Sequence, residues 1–110
     1  MSITFNTTDP RGLLAAFKKA IDDRHVVTWA YDRDGDFTHT TEQWKNKAWL
    51  RPKVVNGELR FGIMKPNNQI MSSEVYAIYH GRFIEAMLAH FDKRFSYSFA
   101  TALPDANDLI

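Results

Sequence analysis

Apolar residues along this chain follow two different periods, and the switches between them mark the elements. Leu13, Leu14, Phe17 and Ile21 recur at helical spacing with Lys18 and Lys19 turned away, which predicts an amphipathic helix. Asp9-Pro10 opens it. Asp9 can accept from the orphan amides of the first turn, and Pro10 sits where a missing N–H costs nothing. The acidic pair Asp22-Asp23 opposes the negative end of the helix dipole and predicts a stop there. The helix is expected from about Pro10 to Asp22. Before it, Ile3 and Phe5 alternate with polar neighbours, predicting a short strand over Ser2–Asn6.

Two hairpins follow, each with a register set by its turn. In the first, Val27, Trp29 and Tyr31 alternate with polar or small residues ahead of Asp32-Arg33-Asp34-Gly35-Asp36. A two-residue loop would mix polar and apolar side chains on both faces. A three-residue loop, Arg33-Asp34-Gly35, pairs Tyr31 with Phe37, Trp29 with His39 and Val27 with Thr41. It also places Gly35 where a type I turn with a G1 bulge needs a left-handed residue. In the second, Asn56-Gly57 is the strongest short hairpin signal. It pairs Val54 with Leu59, Pro52 with Phe61 and Leu50 with Ile63, and leaves Trp49, Arg51, Lys53 and Arg60 on the other face. Pro52 then has its missing N–H on the side away from Leu59–Met64. Pairing on that outer side is expected to be blocked, except beside Trp49.

Ser72-Ser73-Glu74 caps a long helix expected to reach about Lys93. Its apolar positions, from Val75 and Tyr76 through Ile78, Tyr79, Phe83, Ile84, Met87 and Leu88 to Phe91, cover more than one stripe. Such a helix packs on the sheet and on something more, the first helix or a second protomer. Gly81 within it lowers helix stability by about 1 kcal/mol relative to alanine and is expected to mark a close contact. Phe95-Ser96-Tyr97-Ser98-Phe99 alternates as a final strand. The order β-α-β-β-β-β-α-β predicts an α+β two-layer sandwich, a mainly antiparallel sheet with two helices on one face. Residues 1–101 form the expected single domain, and 102–110 a frayed C-terminal tail.

Composition narrows the function classes. The 110 residues are 45% hydrophobic and 25% charged, with net charge +1 and no cysteine. Disulfide scaffolds, zinc ribbons and thiol nucleophiles are excluded, as is the strong overall basicity of a histone-like binder. The start, Met1-Ser2-Ile3-Thr4-Phe5-Asn6, is not patterned as a signal peptide, so a cytoplasmic location is expected.

Candidate chemistry is sparse. Asp32, Asp34 and Asp36 flank Gly35, but an EF-hand needs glycine sixth and an acid twelfth, and here glycine is fourth and Gln43 twelfth. The segment reads as a hairpin tip rather than a metal site. His25, His39, His80 and His90 lack the i, i+4 spacing of a helical metal site. Trp29 and His39 on a sheet face and Tyr76 and His80 on the long helix would line a pocket if that face lies under the helix. The more common arrangement of such residues is the edge of a core. No glycine-rich phosphate loop or nucleophile elbow occurs, so no cofactor is expected and the balance leans away from an enzyme.

Trp44 to Lys53 is the most distinctive stretch. Lys45, Lys47, Trp49, Arg51 and Lys53, joined by Arg60, combine phosphate-neutralising cations with a stacking surface. Edge strands also carry lysine and arginine simply to deter aggregation. The first functional expectation is therefore a non-catalytic protein-interaction or regulatory module, a homodimer or a subunit of something larger. The second is a single-stranded nucleic-acid binder using the basic hairpin, and the third a small enzyme or ligand-binding domain with the His/Tyr pocket.

Overall fold

Turn chemistry fixes the sheet register in the computed structural model, which describes Met1–Ile110. The elements are β1 (Ile3–Asn6), α1 (Pro10–Asp22), β2 (Trp29–Tyr31), β3 (Phe37–His39), β4 (Trp49–Val55), β5 (Glu58–Met64), α2 (Ser73–Phe91) and β6 (Tyr97–Ala100). The sheet is antiparallel throughout, in the order β2-β3-β4-β5-β1-β6. Both helices cover one of its faces. No helix is long and apolar enough to cross a membrane.

Both hairpins adopt the expected registers. Tyr31 pairs with Phe37 and Trp29 with His39, and Gly35 takes φ 83° in its three-residue loop. Pairing does not extend to Val27 and Thr41. Arg24 takes a left-handed φ of 62°, and the amides of His25 and Val26 both bond the Ala20 carbonyl. This turn buries Val26 and leaves Val27 68% exposed. In the second hairpin Val54 pairs with Leu59, Pro52 with Phe61 and Leu50 with Ile63. Leu50, Leu59, Phe61 and Ile63 are buried, while Arg51 and Lys53 face out. β3 meets β4 only at Phe37 opposite Leu50. In that direction β3 has ended in its turn, and Pro52, which falls opposite Gly35, has no N–H with which to continue the ladder.

α1 begins with Asp9 accepting from the Gly12 amide at 3.0 Å, and α2 with Ser72 accepting from Val75 at 3.1 Å. The second apolar stripe of α2 meets α1, where Phe17 lies 5.1 Å from Phe83 and 6.1 Å from Phe91 between ring centres. Phe83 also touches the rings of Phe5, Trp29, Phe37 and Phe61. α2 ends at Phe91, not Lys93, and β6 starts at Tyr97. Phe95, still in the connection, turns inward against Phe5 at 5.1 Å. Strand alternation beginning two residues later puts Tyr97 and Phe99 on the open face, 57% and 47% exposed.

The tail expected to fray is instead tied to the sheet. β1 stops opposite Phe61, and the tail supplies the next backbone partners for β5. Leu109 donates to the Ile63 carbonyl at 2.9 Å, and Asp108 Oδ1 accepts from the Ile63 amide at 3.0 Å. Ser2 donates to Asp105 at 2.7 Å. The Asn107 carbonyl lies so close over Gly62 that a Cβ there would meet it at 1.6 Å. Gly81, expected at a close contact, has open space around it, and nothing in the packing accounts for it.

The two glycines should therefore respond oppositely to alanine. Gly81→Ala is expected to stabilise by about 0.5–1 kcal/mol, raising the melting temperature by a few degrees. Gly62→Ala is expected to destabilise by about 1–3 kcal/mol, since the tail must lift and strand the Ile63 groups. Chemical denaturation reads both effects, and faster exchange of the Ile63 and Leu109 amides identifies the lifted tail.

Candidate functional sites

The sheet face that carries Trp29 and His39 does lie under α2, but its helical partner is Tyr79. Trp29 stacks on His39 at 4.7 Å, and the Tyr79 ring stands edge-on to both, at 5.6 and 6.1 Å. The Tyr79 hydroxyl donates to the Trp44 carbonyl and lies 3.1 Å from Thr38 Oγ1. Tyr76 and His80 pack against each other at 5.6 Å on another part of α2, where His80 Nε2 donates to the Met1 carbonyl. Thus the four residues expected to share a pocket form two separate pairs. A helix places side chains one residue apart about 100° around its axis, so the neighbour of Tyr79 cannot share its direction. Periodicity reveals that α2 is amphipathic; it does not reveal which of several aromatic stripes faces β2 and β3.

A cleft opens beside the Trp29–His39 pair, between α2 and the connection from α1 to β2. It encloses about 470 Å³ and is lined by His25, His39, Arg82, Glu85 and His90 together with Val26, Ala86 and Ala89. His39 is 2% exposed. Its Nδ1 lies 2.6 Å from the Thr28 carbonyl, which can only accept, so Nδ1 carries the proton. Nε2 is then free to accept from Arg82 Nη1 at 3.2 Å. Burial lowers the His39 pKa below its ordinary value, and the Arg82 charge lowers it further, against the opposing pull of the Thr28 carbonyl and Glu85. Arg82 and Glu85 carried no distinguishing signal in the sequence, because each is one more charged residue on a helix surface.

Two cations of the basic hairpin are charge-compensated. Arg51 binds Asp36 through two bonds of 2.9 Å, and Arg60 binds Glu58 at 2.5 and 2.8 Å. Asp36 is 3% exposed, and hydrogen bonding to it holds the Arg51 guanidinium more firmly protonated. Lys45, Lys47 and Lys53 are exposed, Trp49 is half-buried and Trp44 is in the core. The carboxylates of Asp32, Asp34 and Asp36 come within 4.8 Å of one another. Asp32 Oδ1 nevertheless accepts from the amides of Asp34 and Asp36, both at 3.0 Å, and Asp36 holds Arg51. Turn geometry and an ion pair therefore account for the cluster.

The free edge of β6 is a further surface feature. Thr101 donates to the Ser2 carbonyl at 2.9 Å, and Thr4 is opposite Phe99. Alternation then directs the backbone groups of Phe99 toward β1 and those of Ser98 and Ala100 away from it. Comparison with protein-family models, curated proteins and solved structures returns no match for this chain.

Both buried histidines tie stability to pH in the same direction. Burial lowers the His80 pKa as it does that of His39, so the unfolded chain takes up protons more readily than the folded one. Their contribution is complete above the unfolded value of about 6.5 and is lost as pH falls through the folded values. Urea midpoints should drop between about pH 7.5 and about pH 5. The drop in that window should flatten in the His39→Gln, His80→Gln double variant; an unchanged slope would assign it to other groups.

Proposed function

We propose that the chain is a non-catalytic protein-interaction module that pairs through the β6 edge, with a second copy of itself as the first partner. The supporting observation is the chemistry of Tyr97–Ala100. It is an outermost strand with no charge and no proline, and Tyr97 and Phe99 stand exposed on the open face beside it. Natural edge strands are usually blunted by charge, proline or shortness. β2, the opposite edge, has three residues and runs into Asp32-Arg33-Asp34.

The free backbone groups select a register. Ser98 and Ala100 of one copy meet Ala100 and Ser98 of the next, antiparallel, with Phe99 opposite Phe99 on the two-fold axis. This isologous pairing adds four backbone hydrogen bonds by alternation. It also brings the two phenyl rings together at a non-hydrogen-bonded pair, where side chains approach most closely.

Sedimentation velocity over a concentration series tests this reading, with a monomer–dimer equilibrium as the expected result. Ser98→Pro removes an outward N–H without touching the β1 ladder, so the monomer should fold normally. Its dimerisation should weaken by about tenfold or more. Phe99→Lys should act likewise by placing two charges on the axis. A wild-type chain that stays monomeric at the highest soluble concentration, or dimers indifferent to both substitutions, would overturn the proposal.

A further inference from the structure

The cleft beside His39 holds an arrangement that the edge-pairing reading does not use. The chain's five ion pairs include neither Arg82 nor Glu85, although both line this cleft. Arg51, Arg60 and Arg94 are each matched to a carboxylate, and Arg11, Arg24 and Arg33 are exposed and in none of the five pairs. Arg82 is matched to the Nε2 lone pair of a buried, neutral imidazole at 3.2 Å, which orients a guanidinium without cancelling its charge. A guanidinium has five donors, and this contact uses one. Glu85 lies three residues further along α2, next to Arg82 on the helix surface. Val26, Ala86 and Ala89 supply apolar wall in the same cleft. Thr41 Oγ1, also in the lining, is buried without a hydrogen-bond partner.

We infer that this cleft binds a small zwitterion with an apolar body, the chemistry of a free apolar α-amino acid. Arg82 takes the carboxylate through its remaining N–H groups, and charge-assisted bonds of that kind are the strong ones. Glu85 takes the ammonium, and the alanine and valine wall takes the side chain. The volume of about 470 Å³ lies within the range of small-molecule sites. Glu85 also argues against phosphate and other dianions, since it would repel a second negative charge close to Arg82. His39 is a positioning residue here: it holds the fork of Arg82 through Nε2 and touches no ligand atom itself.

Titration of the isotopically labelled full chain, followed by amide NMR, tests the site with three probes: L-phenylalanine, N-acetyl-L-phenylalanine and L-phenylalanine amide. The second lacks the ammonium and the third lacks the carboxylate. L-phenylalanine is expected to give saturable shifts confined to residues near 25–29, 39–41 and 82–90. Each analogue should bind about tenfold more weakly or worse. Arg82→Gln should weaken L-phenylalanine and the N-acetyl compound alike. Glu85→Gln should weaken L-phenylalanine but strengthen the N-acetyl compound, a crossover that general loss of structure cannot produce. Both positions are exposed on α2, so the variants should retain the dispersed spectrum of the parent; Arg82→Lys keeps the charge and serves as the second variant. Absence of saturable shifts, shifts centred elsewhere, or equal binding of all three probes would overturn the inference.

Discussion

One phenyl ring organises this molecule. Phe83 reaches from α2 to the rings of Phe17 on α1, Phe5 on β1, Trp29 on β2, Phe37 on β3 and Phe61 on β5, with centroids 4.7 to 6.1 Å away. Edge-to-face contacts of this kind add directional preference to apolar burial. They fix the rotation of α2 about its own axis as well as its position. With Phe83 down, Tyr79 one turn earlier meets Trp29 and His39, and Met87 one turn later is buried. Arg82 and Glu85 on the flank then stand over the His39 edge. The geometry of the cleft is thus a consequence of core packing, and so is the neutral state of the histidine that faces it.

The surface charges show the same economy of arrangement. Asp36 would be a buried carboxylate at a hairpin tip, and Arg51 from the adjacent strand satisfies both of its oxygens. Glu58 and Arg60 pair along one face of β5, two residues apart as strand geometry requires. Tyr31 donates to both oxygens of Asp22 at 2.7 and 2.9 Å, tying the end of α1 to β2. Of the charges that looked like a phosphate-binding stripe in one dimension, the two arginines are taken up by partners that the fold brings in, and the three lysines stay exposed. Arg82 differs from the other cations outside these pairs in being held by a buried side chain, His39, at the wall of a cleft.

The parts of this architecture readable in sequence are those governed by short-range rules. Asn56-Gly57 and Gly35 state their turn types, and turn type sets the register of the strands they join. Asp9-Pro10 and Ser72 mark helix starts through groups within three residues. Pro52 announces where pairing stops, since its missing donor is a covalent fact. What escaped the sequence is relational. His80 and Tyr79 are neighbours with different fates, decided by which stripe of α2 meets β2 and β3. Phe95 breaks phase with Tyr97 and Phe99 because the connection from α2 enters β6 late. Gly62 is required by a segment about forty-five residues away, and nothing near it in the chain hints at that.

The position of β1 has a consequence for biosynthesis. It sits between β5 and β6, and both neighbours are encoded far downstream. A nascent chain therefore carries Ile3 and Phe5 without a strand partner until Glu58–Met64 has left the ribosome, and with one side of β1 unpaired until Tyr97–Ala100 follows. Contacts of such long separation slow folding relative to a helical bundle. During that interval the apolar side chains of β1 are open to chaperones.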